Sequence, residues 1–108
     1  MVRLTVQELL EKLPTPEGQR FIPAFARDTL EVELYAPQGT DGQQPHSRDE
    51  VYIAISGTGI FFCAGERTEF GPGDFLQVPA KLEHRFENFS EDFVTWVFFY
   101  GPSSGELR

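Results

Sequence analysis

Two histidines, one cysteine, one methionine and one tryptophan are all that this 108-residue chain holds of those types. The single thiol, Cys63, has no internal disulfide partner. Basic residues are also scarce: nine Lys and Arg stand against seventeen Asp and Glu, a formal charge of −8. Such a field repels phosphate backbones and anionic headgroups, so neither nucleic acid nor a membrane surface is an expected partner. No window holds the roughly 18 uninterrupted apolar residues of a membrane span. The N-terminus lacks the basic patch and following apolar run of a secretory signal, and with the lone thiol this makes a reducing cytoplasm the expected setting. There is no paired nucleophile and base, no glycine-rich phosphate loop and no basic stripe, which removes hydrolytic triads and nucleotide transfer from consideration.

What the chain has in quantity is phenylalanine, 11 residues within an aromatic content of 14%. At this length it reads as a single domain over 1–108, with one core. The segment TVQELLEKLP predicts a short helix over 4–14, capped by Thr5 with Glu8 three residues on, presenting Val6, Leu9, Leu10 and Leu13 on one face and stopped at Pro14. Beyond Pro14 no helical period returns. Short apolar runs follow at 20–25, 30–35, 50–56, 60–64, 75–78, 84–89 and 93–100, cut by the turn sequences SGTG, AGER and GPGD. The pattern is all-β, and so many short strands bury their faces and avoid bare edges most simply as an antiparallel sandwich or barrel over about 20–100. Residues 101–108, GPSSGELR, read as a tail.

Along the strand at 50–56 side chains alternate, so Glu50, Tyr52 and Ala54 share one face while Val51, Ile53 and Ile55 share the other. Both faces are largely apolar. A carboxylate on a covered face is costly unless an arginine or a metal ion compensates it. His46 precedes Glu50 by an even spacing, in chain that Pro45 biases toward extended geometry, so imidazole and carboxylate can face the same way. A further ligand must come from elsewhere, and the other histidine, His84, also follows a proline-anchored turn, VPAKLEH.

These residues form two patterns: His46-x-x-x-Glu50 with Gly57 after six more residues, then Gly73-x5-Pro79 with His84-x-x-x-Asn88. Together, from about 39 to 88, they closely resemble the two signature motifs of the cupin superfamily. The resemblance implies an antiparallel jelly-roll β-barrel, dimeric as a rule, with a metal near its mouth held by residues of both motifs. Carried over position by position, it implies His46, Glu50 and His84 as ligands of one divalent transition metal, Fe, Zn, Ni or Mn. Gln44 stands where the family's first motif carries another histidine and is expected to offer an amide oxygen, with Gln43 as the alternative donor. Gly39 is one place out of step with the motif's leading glycine. Lys81 stands where a glycine normally follows the proline by two.

Tyr52 should face the same lumen, as packing or as the acid/base of a reaction. Phe86 shares the parity of His84 and should wall the pocket, while Phe61, Phe62, Trp96, Phe98 and Phe99 are expected in an aromatic interior. Cys63 reads as a small buried hydrophobe. Arg67 and Arg85, flanked by glutamates, read as surface ion pairs. The outward Val51, Ile53 and Ile55 require cover from the opposing sheet edge, the N-terminal helix or a second subunit, and a homodimer is expected. Function is then either metal-dependent oxygenation or isomerisation of a small oxygen-rich molecule, or non-catalytic binding or sensing of a small-molecule ligand in the same cavity with weak or no metal.

Overall fold

Eight strands form two facing antiparallel sheets in the computed structural model, which describes residues 1–103. The strands are β1 (Phe21–Arg27), β2 (Leu30–Tyr35), β3 (Asp49–Ser56), β4 (Gly59–Cys63), β5 (Glu66–Phe70), β6 (Phe75–Val78), β7 (His84–Glu87) and β8 (Val94–Tyr100). One sheet runs β1-β2-β8-β3-β6 and the other β5-β4-β7. This is the expected jelly roll, although the barrel is not strictly closed. Most of the predicted tail, 104–108, lies outside the described residues.

Strand β5 was not anticipated, because Glu66, Arg67, Thr68 and Glu69 are exposed and only Phe70 is buried. Its hydrogen-bonded partner is β4, through a two-residue turn in which Ala64 and Gly65 both have positive φ, the geometry that matches hairpin twist. The other tight connection, between β3 and β4, depends on Gly57. Its φ is +86°, and a Cβ there would lie 2.5 Å from the Phe93 Cα, closer than any side chain allows.

The predicted alternation on β3 holds. Glu50, Tyr52 and Ala54 face inward and are buried, and Tyr52 and Ala54 join Phe61, Phe70, Val78, Phe86, Phe93 and Val97 in the main core. Phe86 is the hub, its ring centroid 4.7 Å from Phe93 and 4.9 Å from Phe61, the spacing at which tilted aromatic pairs attract beyond their burial.

Not every predicted core aromatic lies there. Phe62 is on the opposite face of β4, where Arg67 and Arg85 stack over it at 4.7 and 4.2 Å, a cation–π arrangement. Both arginines also pair with Glu87. Trp96 packs on the outer face of the larger sheet, beneath the helix, and Phe98 borders an outer groove with Met1, Val2 and Leu4.

Helix α1 (Val6–Leu10) is shorter than the predicted 4–14, since after Leu10 the chain tightens into single turns, with Lys12 N–H donating to Leu9 O and Leu13 N–H to Leu10 O. The Thr5 side chain accepts from Glu8 N–H at 3.1 Å, as its capping position requires. Leu9, with Val6, Leu10 and Leu13, packs against Leu34, Val94, Trp96 and Ile55. Of the outward residues of β3, the helix cluster thus covers Ile55.

Candidate metal centre

The second residue of β3 and the first of β7 meet across the space between the two sheets. Glu50 Oε1 lies 2.8 Å from His84 Nε2 and 3.9 Å from His46 Nε2. One ligand atom from each of the three residues falls within 4.8 Å of the others. His46 arrives on the irregular segment ahead of β3 and is held by a backbone bond to the second motif, Lys81 N–H to His46 O at 2.6 Å. Lys81 makes this bond in the left-handed region, at φ 71°. That conformation favours glycine and accounts for the residue usual at this position in the motif.

Glu50 and His84 are 1% and 3% exposed. Both carboxylate oxygens of Glu50 and Nε2 of His84 are nonetheless without a hydrogen-bond partner. The 2.8 Å approach is a charge-pairing distance without N–H alignment. Nor, among the described residues, does any Lys or Arg pair with Glu50. Buried polar atoms are seldom left this way, because each unsatisfied group costs about 1–3 kcal/mol. His84 Nδ1 is 2.8 Å from Leu82 O and donates its proton there, which leaves the Nε2 lone pair free in the tautomer a metal-binding histidine needs. Two imidazole nitrogens and one carboxylate oxygen suit a divalent transition metal. Burial opposes charge on the His84 ring, but Glu50 and the Leu82 carbonyl outweigh it and leave the pKa above the usual histidine value.

The glutamines exchange the roles expected of them. Gln44 is exposed, whereas Gln43 is half-buried and touches the cluster. Even spacing predicts a shared face only in extended chain, and residues 41–46 form no strand. Gln43 Nε2 donates to Asp41 Oδ2 at 2.7 Å, which leaves Oε1 facing the site, 3.5 Å from His46 Nε2 and accepting from the Tyr52 hydroxyl at 2.8 Å. Asp41 also accepts from the Tyr35 hydroxyl at 2.5 Å and from Phe86 N–H at 2.8 Å. It thereby joins β2, the loop and β7. Tyr52 is fully buried, and burial first, then the Glu50 charge, pushes its phenol well above the ordinary value. It stays protonated and donates.

Cys63 is half-buried and is the register partner of His84 across β4 and β7. Asp49 points away from the cluster and accepts from Ala80 N–H at 2.8 Å. Asn88 takes a positive φ of 49° at the end of β7, the turn role expected of it.

Outward from His46 and Gln43 opens a cavity of about 450 Å³, walled by Tyr35 and Phe99 and carrying Arg20 and Glu33. Sequence reasoning missed Asp41, Arg20 and Glu33. The signal for Glu33 was present in LEVELY, where Leu30, Val32 and Leu34 alternate with Glu31, Glu33 and Tyr35. Here Leu34 packs with the helix while Glu33 and Tyr35 line the cavity, a reversal of the usual assignment.

Comparison with known proteins agrees with this architecture. An uncharacterised protein of Streptomyces coelicolor is 39% identical over 83 residues, 74% of this chain and 79% of that protein. An acireductone dioxygenase of Rhodopseudomonas palustris is 47% identical over 45 residues, 38% of this chain and 27% of the enzyme's length. Among solved structures, TT1209 from Thermus thermophilus superposes with a TM-score of 0.73 at 25% identity, over 94% of this chain and all 100% of that one. A Cupin 2 conserved barrel domain protein from Salinispora arenicola gives 0.72 at 18% identity, over 99% and 93%. The family model for the Cupin domain matches residues 31–100, and the chain belongs to the cupin family.

Proposed function

We propose that the chain is a metal-dependent oxygenase acting on a small, oxygen-rich molecule, with His46, Glu50 and His84 as ligands of one divalent ion. The observation that carries this is the set of three buried, unpartnered atoms, both oxygens of Glu50 and Nε2 of His84, facing one another beside His46. Two histidines and a carboxylate on one side of an ion are the donor set of non-haem iron oxygenases. Bound there, such an ion supplies coordination positions for a chelating substrate and for dioxygen. The local likeness to acireductone dioxygenase supports oxygenation over isomerisation. Gln43, fixed by Asp41 and by the Tyr52 hydroxyl, lies against the His46 imidazole, and Tyr52 is the proposed proton donor of the site. The wall of Tyr35 and Phe99 limits water around the reacting atoms.

The exposed outer face carries the remaining assignments. Phe75 is 65% exposed beside half-buried Ile53, and we assign this apolar face to a homodimer, which sedimentation of the chain tests. The lone thiol suits a reducing cytoplasm.

The functional experiment is dioxygen uptake by iron-loaded protein with a cyclic diketone or an enediol. Uptake by the parent that is absent from Glu50→Gln and His84→Ala supports the reading. A ligand that stabilises the parent without product or oxygen loss would favour the binding-module alternative.

A further inference from the structure

Three arginines are half-buried among the described residues, Arg20, Arg48 and Arg85. Arg48 pairs with Glu31, and Arg85 with Glu83 and Glu87. Arg20 has no carboxylate partner among the described residues, although the chain carries seventeen acids. It is not a loose surface residue. Ala36 N–H donates to Arg20 O at 2.9 Å, and Arg20 Nε returns a bond to Ala36 O at 2.8 Å. The guanidinium is therefore fixed at its Nε end, with its terminal nitrogens free, in the wall of the cavity whose floor is His46 and Gln43.

We infer that Arg20 is an anion-binding residue, and that the cavity takes a small organic acid whose oxygen pair meets the metal centre while a second, distal carboxylate rests on Arg20. This rests on the metal reading above. A planar guanidinium with its fork open is suited to bidentate carboxylate recognition, and partial burial strengthens the contact by excluding competing water. A cavity of about 450 Å³ has room for such a molecule. Glu33 lies on the same wall. Its carboxyl is pushed above the ordinary value by burial first and then by Glu31 and Glu50, so it takes up a proton more readily than a solvated acid and repels a neighbouring anion less.

The test loads the protein with nickel, measures the nickel in each sample, and titrates two pairs of 2-oxo acids by calorimetry: 2-oxoglutarate against 2-oxopentanoate, and oxaloacetate against 2-oxobutanoate. Each pair shares its chelating end and differs in the distal carboxylate. The parent should prefer the dicarboxylate of at least one pair by about tenfold, the scale of one charge-assisted hydrogen-bonded pair. Arg20→Gln should keep its nickel and its affinity for the monocarboxylates while that preference collapses. A parent without preference, or a preference that survives in Arg20→Gln, overturns the inference and leaves the metal centre standing. Failure of both proteins to take up nickel, and ferrous or zinc ion offered in its place, defeats the metal reading, and this inference with it, before any acid is added.

Discussion

The Tyr52 hydroxyl donates to Gln43 Oε1 at 2.8 Å, and the opposite end of the same amide donates to Asp41 at 2.7 Å. One side chain thus links the inner face of β3 to the loop that presents His46. Gln43→Ala leaves a buried hydroxyl unpaired and removes a donor from Asp41, so it should destabilise by about 1–3 kcal/mol. Gln44→Ala, at an exposed position, should stay within about 0.5 kcal/mol of the parent. Urea denaturation of both variants checks the pair, and equal effects would contradict the assignment of Gln43 as the inward amide.

Asp41 accepts three donors, from Tyr35, Gln43 and the Phe86 backbone. Its loss should be worse than that of any one of them. Asp41→Ala leaves three neutral donors without their acceptor and is expected to cost about 3 kcal/mol or more, and Asp41→Asn less. Thermal unfolding measures both.

At position 81 the substitution should run the other way. Lys81 is held at φ 71°, where glycine is relieved of a side-chain clash, so Lys81→Gly should stabilise by about 0.5–1 kcal/mol after its greater unfolded-state entropy is counted. The His46 carbonyl bond, made by the backbone, survives the change. A loss of stability would show that the lysine side chain contributes something beyond its conformation.

Stability should depend on pH in opposite directions with and without metal. In the metal-free protein His84 has a raised pKa, so its contribution is complete below the unfolded value of 6.5 and is lost as pH rises through the higher folded value. Glu33, also raised, acts in the same direction from 4.5 upward. Metal binding requires the unprotonated imidazole and competes with the proton. Across the histidine range the metal-free protein should lose resistance to urea as pH rises, while the metal-loaded protein should gain it.

The parts of the site legible from sequence were those governed by strand parity. Glu50 and Tyr52 share one face because strand side chains alternate, and His84 follows from its matching motif. Parity failed once the chain left the strand: the choice between Gln43 and Gln44 is set by the hydrogen bond to Asp41, which no spacing rule encodes. Strand β5 escaped because its outward residues are charged and its pairing is supplied by β4. Arg20 could not be found from a motif, since its place depends on a reciprocal bond to Ala36, sixteen residues away.

Metal stoichiometry tests the central claim most directly. Untagged protein incubated with ferrous, nickel or zinc ion and then desalted should retain about one ion per chain, as a three-donor site with open positions allows. His46→Ala, Glu50→Gln and His84→Ala, each shown to be folded by circular dichroism, should retain far less. Folded variants that hold as much metal as the parent, or a folded parent that holds none, would contradict it.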